Sequence, residues 1–323
     1  MAQKTDLNVS PYYDDFDETD NFSRTLFRPG FAIQARELTQ LQSALQNQIE
    51  KHGSHVFKEG AVVIPGAVHI NTKYHSLKLA STFASETIDP SQYFNATTPV
   101  TITGATTGVT AVVIGFDAAT STDQPTLYLR YVNTGTDNVT NVFADGENIS
   151  ADAGITHTSS YSSSATSATT FTSLFSAAAG SSAANLASST GPASRRGSAF
   201  HIEAGVYYIR GFFVTCLEET LVLDKYDNTP SYRIGFTVTE SLVTPESDTT
   251  LLDNATGANN FAAKGAHRLK IALSLGKLAR GSTADSSFVD LMDVKQGVVQ
   301  HYVRQTEYAV LEETFARRTF DES

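Results

Sequence analysis

The first clear pattern along the chain is a row of apolar residues at helical spacing. The segment 35–52 contains no proline or glycine. Its large apolar residues recur every three or four positions: Leu38, Leu41, Leu45 and Ile49. This spacing predicts a helix over residues 35–53, with Gly53 as the residue that ends it.

The remaining positions of this predicted helix are largely glutamine. A narrow apolar row with an uncharged surround suits packing against other helices or against copies of the same helix. The row covers only about two and a half heptads, however, and a coiled coil needs three or four. An ordinary helix that turns its leucines toward the core of its own domain is therefore at least as compatible with the pattern.

After residue 60 the apolar residues alternate with polar ones, which is typical of half-buried strands. The alternation is clear from Val68 to Tyr74, and strand-like runs return from Phe200 onward. We therefore predict a main β domain made of residues 54–96 and 199–284.

Residues 97–156 predict a small β unit inserted into that domain. Four short strand-like runs are separated by turn residues such as Gly104, Gly108, Gly135 and Gly146, at the spacing of a small barrel or sandwich. In the next segment, 157–198, Ser, Thr, Ala and Gly fill 32 of the 42 positions. This composition predicts a linker.

The N-terminal segment 1–34 predicts an extended arm. Five acidic residues crowd between positions 14 and 20, and like charges disfavour a compact unit. Aromatic residues stand among them: Tyr12, Tyr13, Phe16 and Phe22. Two interpretations stay open, a solvated terminal arm or a docking strand whose aromatic residues anchor it on a neighbour.

The C-terminal segment 285–323 predicts a long helix. Ser287 and Asp290 fit a capping box, and apolar residues follow at helical spacing from Leu291 to Ala309. Gly297 within the segment weakens the case for one continuous rod. The complete pattern predicts an α+β fold that is mainly β, with an N-terminal arm and helix, a β domain carrying an inserted barrel, and a long C-terminal helix.

Composition narrows the function classes. The chain has 323 residues, a net charge of −11 and 41% apolar residues. This balance excludes a mainly disordered chain and a strongly basic domain that coats nucleic acid. One cysteine excludes a disulfide framework. Because no apolar run is long enough for a membrane helix and the start lacks a signal peptide, we expect a protein made in the cytoplasm, with no membrane insertion.

Motifs that carry chemistry are absent from the sequence. There is no phosphate-binding glycine loop, no nucleophile elbow and no HExxH zinc helix. Cys216 lies in an alternating strand pattern, where a buried inert thiol is expected. The pair His52 and His55 flanks a helix end without the convergent third group that a metal needs. We therefore expect no catalytic, cofactor-binding or metal-binding residues.

Several long segments give the chain a family resemblance. They include LNVSPYYDDFD (7–17), LFRPGFAIQARELTQLQ (26–42), LVLDKYDNTPSYR (221–233), TPE (244–246), LLDNA (251–255) and GAHRLK (265–270). These segments resemble a family of tailed-bacteriophage virion structural proteins, cyanobacterial phages among them. The resemblance covers about half of the chain and skips the inserted β unit and the linker. Members usually continue past residue 323, so the chain is either a short member or a fragment.

The resemblance implies a structural part of the tail, at the baseplate or where fibres attach, with other tail, baseplate or fibre proteins as partners. It implies a homo-oligomer, a trimer in preference, located in the virion and without enzymatic activity or cofactors. Seven residues of the arm and helix are the expected interface anchors: Tyr12, Tyr13, Phe16, Leu38, Leu41, Leu45 and Ile49.

Two other functions stay open. The first is a host-glycan-binding adhesin, in which Tyr128 and Tyr131 of the inserted β unit would stack on sugars. The second is a depolymerase that uses paired carboxylates, although the spacing of acids in a sequence cannot show a cleft.

Overall fold

The computed structural model describes residues 3–64, 66–83, 86–152, 155–156, 170–171, 174–176, 192–282, 286–303 and 309–322. The fold is mainly β, with 40% strand and 16% helix. The predicted mainly β class with helices is therefore confirmed. Most of the predicted linker 157–198 lies outside the described residues.

Two α-helices and three short 3-10 helices occur within these residues. They are α1 (Ala35–Val56), α2 (Ala309–Glu322) and the 3-10 helices Glu18–Asp20, Pro90–Tyr93 and Thr249–Leu251. The strands are β1 (Val62–Ile64), β2 (Val68–Lys78), β3 (Thr82–Phe83), β4 (Glu86–Thr87), β5 (Thr101–Gly104), β6 (Thr110–Asp117), β7 (Thr126–Asn133), β8 (Asn148–Ala151), β9 (Ile155–Thr156), β10 (Thr170–Phe171), β11 (Leu174–Ser176), β12 (Ser194–Ile202), β13 (Gly205–Ile209), β14 (Phe212–Cys216), β15 (Glu219–Asp224), β16 (Tyr232–Val243), β17 (Arg268–Ala279), β18 (Phe288–Lys295) and β19 (Val298–Tyr302).

The chain forms two compact units. The first consists of Met1–His69, His201–Leu221 and Ser231–Ser323. It contains both α-helices, a three-stranded antiparallel sheet in the order β1-β13-β14 and a four-stranded antiparallel sheet in the order β17-β16-β18-β19. Tyr207 and Phe236 are fully buried in this unit, and their rings meet edge to face at 5.0 Å.

The second unit consists of Ile70–Phe200 and Val222–Pro230. Its main feature is an eight-stranded sheet in the order β11-β8-β5-β6-β7-β2-β12-β15. One apolar cluster lies against this sheet and includes Leu77 of β2 together with Leu127 and Leu129 of β7.

The predicted closed barrel over residues 97–156 is wrong. Strand β7 pairs with β2 in antiparallel register, with Leu77 opposite Leu127, so the inserted strands extend a larger open sheet. The sheet ends at β11 on one side and β15 on the other, so its edge strands do not meet. The sequence shows four strands at the spacing of a barrel because the turn residues between strands fix the lengths of the strands. They do not fix which strand pairs with the last one.

The predicted long C-terminal helix is also wrong. Residues 288–302 form the hairpin β18–β19, in which Lys295 pairs with Val298 across a two-residue turn. Both turn residues, Gln296 and Gly297, have positive φ (49° and 76°), as a tight hairpin turn requires. Gly297, which weakened the helical interpretation, therefore lies in the turn of a hairpin, and within the described residues of 285–323 only α2 is helical.

Helix α1 confirms the predicted N-terminal helix, with a different end. It begins at Ala35 and continues through Gly53 to Val56. Gly53 is buried against Tyr208, and a Cβ atom at this position would lie 2.5 Å from the tyrosine ring. The glycine thus allows close approach between α1 and β13 and does not end the helix.

Candidate interaction surface

Helix α1 turns its polar side toward the rest of the first unit. The Gln46 amide donates a hydrogen bond to the Gly211 carbonyl at 2.7 Å, and Asn47 is buried. The Tyr208 hydroxyl donates to the Glu50 carbonyl at 2.8 Å. These contacts hold the helix through amide and backbone groups, so its apolar row is left for the opposite side.

The apolar row of α1 faces outward. Leu38, Leu41, Leu45 and Ile49 are 48%, 44%, 60% and 37% exposed. The alternative that these leucines face the core of their own unit is therefore wrong. We call these four side chains the α1 stripe.

Charge is absent along the stripe, and charged side chains flank both of its ends. Residues 38–49 contain no aspartate, glutamate, lysine or arginine. Near the start of α1, Arg36 pairs with Asp15 at 2.9 Å, and near its end Lys51 pairs with Glu18 at 2.9 Å. The stripe is thus an uncharged apolar row on a strongly acidic chain, with the further carboxylates Glu37 and Glu50 directly beside its two ends.

The segment that leads into α1 exposes more apolar side chains. We call residues 21–33 the strap. Its large apolar side chains are all exposed: Phe22, Leu26, Phe27, Phe31 and Ile33. Of the 24 exposed large apolar side chains in the part of the chain that the structure describes, 11 fall between residues 9 and 49. Single exposed apolar residues are ordinary, but such a concentration marks an interaction surface.

The acidic arm lies against its own unit. The Asp15 carboxylate accepts hydrogen bonds from Arg36 and Gln40, and Asp14 accepts one from Ser43. Further toward the N-terminus, the backbone N–H of Thr5 donates to Glu240 at 2.7 Å. Three of the five acids that suggested a self-repelling arm, Asp14, Asp15 and Glu18, are therefore bound by polar side chains of α1.

The three aromatic residues predicted as anchors differ in exposure. Tyr12 is half-buried, and its hydroxyl lies 2.5 Å from Nδ1 of His267. Tyr13 is 58% exposed and has a positive φ of 50°. Phe16 is half-buried. Of these three residues, Tyr13 is thus the most open to a partner, whereas Tyr12 already has a partner within the chain.

A cleft of about 960 Å³ lies between the arm, α1 and β17. Its apolar lining includes Leu7, Tyr12, Leu38, Phe212, Leu242 and Ile271. Leu38 belongs to both the cleft and the α1 stripe, so the two features adjoin. Three of the segments that carry the family resemblance, 7–17, 26–42 and 265–270, supply lining residues.

The rim of the cleft carries a cation. The Arg268 guanidinium donates to the carbonyls of Ala266 and His267, at 2.8 and 3.2 Å. No carboxylate lies within ion-pair distance of Arg268 among the described residues. Sequence reasoning missed this cleft because its walls are more than 200 residues apart in the chain.

The Glu240 carboxylate, to which the start of the arm is hydrogen-bonded, has a strongly lowered pKa. Burial opposes ionisation of Glu240, but hydrogen bonds from Thr5, the Lys4 N–H and Arg210 outweigh it and lower its pKa to about 2. The group is therefore ionised at neutral pH and forms the fixed point to which the start of the arm is bound.

The cysteine and the two tyrosines singled out by the sequence are not among the residues of this surface. Cys216 is buried. The pKa of its thiol is raised, mainly because burial removes water from it and also because Glu219 is nearby. Tyr128 is 3% exposed and donates to Asp117 at 2.6 Å, while Tyr131 is half-buried. Neither tyrosine offers an open ring face for a sugar, so the adhesin hypothesis loses the residues that it relied on.

Neither a metal centre nor a membrane-spanning helix is found among the described residues. No group of three or more His, Cys, Asp or Glu residues is placed to hold a metal ion in the ranges that the structure describes. Over the same ranges, no helix combines the length and the apolar character needed to cross a membrane.

Comparison with protein-family models finds a match over residues 10–164 and 190–323, to a family described as Domain of unknown function (DUF4815). The matched ranges include α1, the strap and the residues around the cleft. No curated protein and no solved structure matches the chain.

Proposed function

Because this chain belongs to the DUF4815 family, whose description names no activity, we propose its function from its own residues: a non-enzymatic structural component of a bacteriophage tail. It lies at the baseplate or the fibre-attachment site and links neighbouring virion proteins. The part that makes these links is the surface formed by the arm, the strap and α1.

One observation carries this proposal: nearly half of the exposed large apolar side chains lie within residues 9–49. Leaving such side chains in water costs about 25 cal/mol for each Å² of apolar surface that a partner would cover. A catalytic protein has no need of this surface, whereas a subunit that is buried in an assembly does. The resemblance of segments 7–17 and 26–42 to virion structural proteins falls on the same part of the chain.

The cleft offers neighbours a second contact of different chemistry. Its lining is apolar, and Arg268 at the rim has no carboxylate partner in the described part of the chain. A neighbouring segment with an apolar anchor and an acidic group fits this arrangement, since the acid would pair with the guanidinium.

The proposal is tested on purified phage particles. We expect peptides of this chain in mass spectra of the virion, and label from an antibody against it at the tail in electron micrographs. Particles produced with the double variant Leu41→Asp, Leu45→Asp should lack the chain. The variant Leu217→Asp, which adds one such charge at a side chain that is 77% exposed, should be incorporated normally. Wild-type particles that do not contain the chain would contradict the proposal.

A further inference from the structure

The lining of the cleft between the arm, α1 and β17 carries one full charge. Arg268 is the only aspartate, glutamate, lysine or arginine among the described residues that line it, although the chain as a whole has a net charge of −11. Both hydrogen bonds of the guanidinium to described residues are made by Nη1, to the carbonyls of Ala266 and His267. The Nε and Nη2 donors are therefore left for a ligand.

The carboxylates of the neighbouring segments have partners of their own. Asp6 accepts a hydrogen bond from the Asn8 N–H at 2.8 Å, and Asp14 accepts one from the Ser43 hydroxyl. Glu246 pairs with Lys264 at 2.6 Å. A guanidinium forms its strongest hydrogen bonds with a carboxylate, often as a parallel pair. Because the described part of the chain supplies none to Arg268, the cleft is complementary to a ligand that brings one.

The cleft also holds a place for a large apolar side chain. Leu242 of β16 lies opposite Leu269 of β17 in register, and both line the cleft. Ile271 also lines it and lies on the same face of β17 as Leu269, because side chains two residues apart in a strand share a face. Leu38 of α1 lines the same space. An apolar group of the ligand would be covered by aliphatic side chains from the sheet and from the helix.

Uncharged polar groups of α1 indicate that the ligand is a peptide. Thr39, Gln42 and Gln46 follow one another at helical spacing, and all three line the cleft. Gln46 already donates to the Gly211 carbonyl, whereas the exposed Gln42 amide makes no hydrogen bond within the described part of the chain. An aliphatic chain laid over this wall would remove water from the Gln42 amide without replacing its hydrogen bonds. A peptide backbone supplies both N–H and C=O groups for them.

Strand β17 favours an extended conformation of that peptide. It is an edge strand of the four-stranded sheet, and β16 is the one strand that pairs with it among the described residues. The outer backbone groups of an edge strand bind added strands readily. Residues 268–271, three of which line the cleft, span about 10 Å, so three or four residues of an extended segment match them.

We propose that the cleft binds an extended, acidic segment of a neighbouring protein. One large apolar side chain of the segment lies among Leu38, Leu242 and Ile271, and an aspartate or glutamate pairs with Arg268. The inference rests on the proposed function and gives the chemistry of the partner at its second contact. Because alternate side chains of an extended segment share a face, the apolar and the acidic residue are two positions apart.

The first test uses an array of immobilised ten-residue peptides and the purified full chain. The peptides vary one central residue and the residues two places before and after it. Binding should require leucine or phenylalanine at the centre and aspartate or glutamate at one of the other two positions. The matching amide should bind about tenfold more weakly, since it loses a charged hydrogen-bond pair. An array without bound peptides, or binding that does not depend on the acid, would overturn the proposal.

The second test assigns the acid to Arg268. Fluorescence anisotropy measures the affinity of the best acidic peptide and of its amide counterpart. Arg268→Gln should weaken the acidic peptide about tenfold and leave the amide peptide unchanged, a difference that a folding defect would not produce. Arg130→Gln, which removes an exposed arginine from β7 in the second unit, is the control and should bind both peptides as wild type does. Equal weakening of both peptides by Arg268→Gln would overturn the pairing.

A competition experiment separates the peptide from a lipid. Laurate carries a carboxylate on an aliphatic chain, and it should not displace the labelled peptide. Displacement by laurate at concentrations below those of unlabelled peptide would identify the cleft as a fatty-acid site and overturn the peptide. The chain's presence in virions is measured separately, so the proposed function and the peptide cleft can fail independently.

Discussion

Arg210 and Glu240 form a buried ion pair that also fixes the start of the arm. The Arg210 Nη1 and Glu240 Oε1 atoms are 2.7 Å apart, and the side chains are 8% and 5% exposed. The Glu240 carboxylate also accepts hydrogen bonds from the backbone N–H groups of Lys4 and Thr5, at 3.1 and 2.7 Å. One carboxylate therefore joins the hairpin turn after β13, the strand β16 and the N-terminal segment.

Replacing Glu240 with glutamine should release the arm. The substitution leaves the Arg210 charge buried without its partner, which costs about 3–5 kcal/mol in the free energy of unfolding. Urea denaturation measures this loss, and hydrogen exchange at the amides of residues 4 and 5 should become faster.

The matched control for Glu240→Gln is Glu246→Gln. Glu246 pairs with Lys264, but both side chains are more than half exposed, so the change should be below about 1 kcal/mol. Unchanged protection of the Lys4 and Thr5 amides in Glu240→Gln would show that the carboxylate does not hold the arm.

The same carboxylate predicts a pH dependence. The folded-state pKa of Glu240 is about 2, below its ordinary value of 4.5. A lowered pKa gives stability that is fully present above pH 4.5 and is lost as the pH falls toward 2, by about 3 kcal/mol. The glutamine variant lacks this titration, so the difference in unfolding free energy between wild type and Glu240→Gln should shrink between pH 5 and pH 3. A constant difference over this interval would contradict the assignment.

Local patterns predicted some elements of this fold and not others. Helix α1 could be predicted because its row of leucines, its glutamines and its lack of proline all agree over eighteen residues. The hairpin β18–β19 was missed because Val, Leu and Met residues from 289 to 299 fit both helical and alternating spacing. Only the positive φ values at Gln296 and Gly297 decide between the two, and sequence alone does not show them.

The candidate surface was also predictable only in part. The stripe residues were found from their spacing, but the direction in which they face depends on the glutamine and glycine contacts of α1 with Gly211 and Tyr208. The attachment of the arm joins Thr5 to Glu240, 235 residues away. No local pattern encodes such a contact, because it forms only when β16 is in place.

Two glycines that face each other across β16 and β17 should respond differently to alanine. A Cβ atom on Gly235 would lie 2.0 Å from the Val289 carbonyl oxygen, and backbone cannot easily move away. On Gly276 the nearest atoms would be at 3.8 and 3.9 Å, which is ordinary contact.

We therefore expect Gly235→Ala to lower the free energy of unfolding by about 2 kcal/mol or more, through overpacking. Gly276→Ala, its cross-strand neighbour, should change it by less than about 1 kcal/mol in either direction. Chemical denaturation of both variants gives the comparison. Similar losses in the two would mean that β18 does not approach β16 closely at Gly235.

A buried ion pair in the second unit predicts an asymmetry between its two members. Lys78 is 5% exposed, its ammonium lies 3.3 Å from Asp123, and it stands over the ring of Tyr226 at 4.1 Å. Asp123 is its only carboxylate partner among the residues that the structure describes. Asp123 itself has further partners, since Lys225 lies at 3.2 Å and the Tyr226 hydroxyl donates to it at 2.8 Å.

Removing Asp123 should therefore cost more than removing Lys78. Asp123→Ala leaves a buried ammonium without a counter-charge, a loss of about 3–5 kcal/mol, whereas Lys78→Met fills the same space and leaves Asp123 with Lys225. The double variant should be more stable than Asp123→Ala alone, because the methionine removes the unpaired charge. Urea denaturation of the three variants measures the cycle. The prediction fails if Asp123→Ala and Lys78→Met lower the free energy of unfolding equally and the double variant shows the sum of the two losses. Lys78 and Asp123 would then not be coupled, and Lys78 would be solvated in the folded unit.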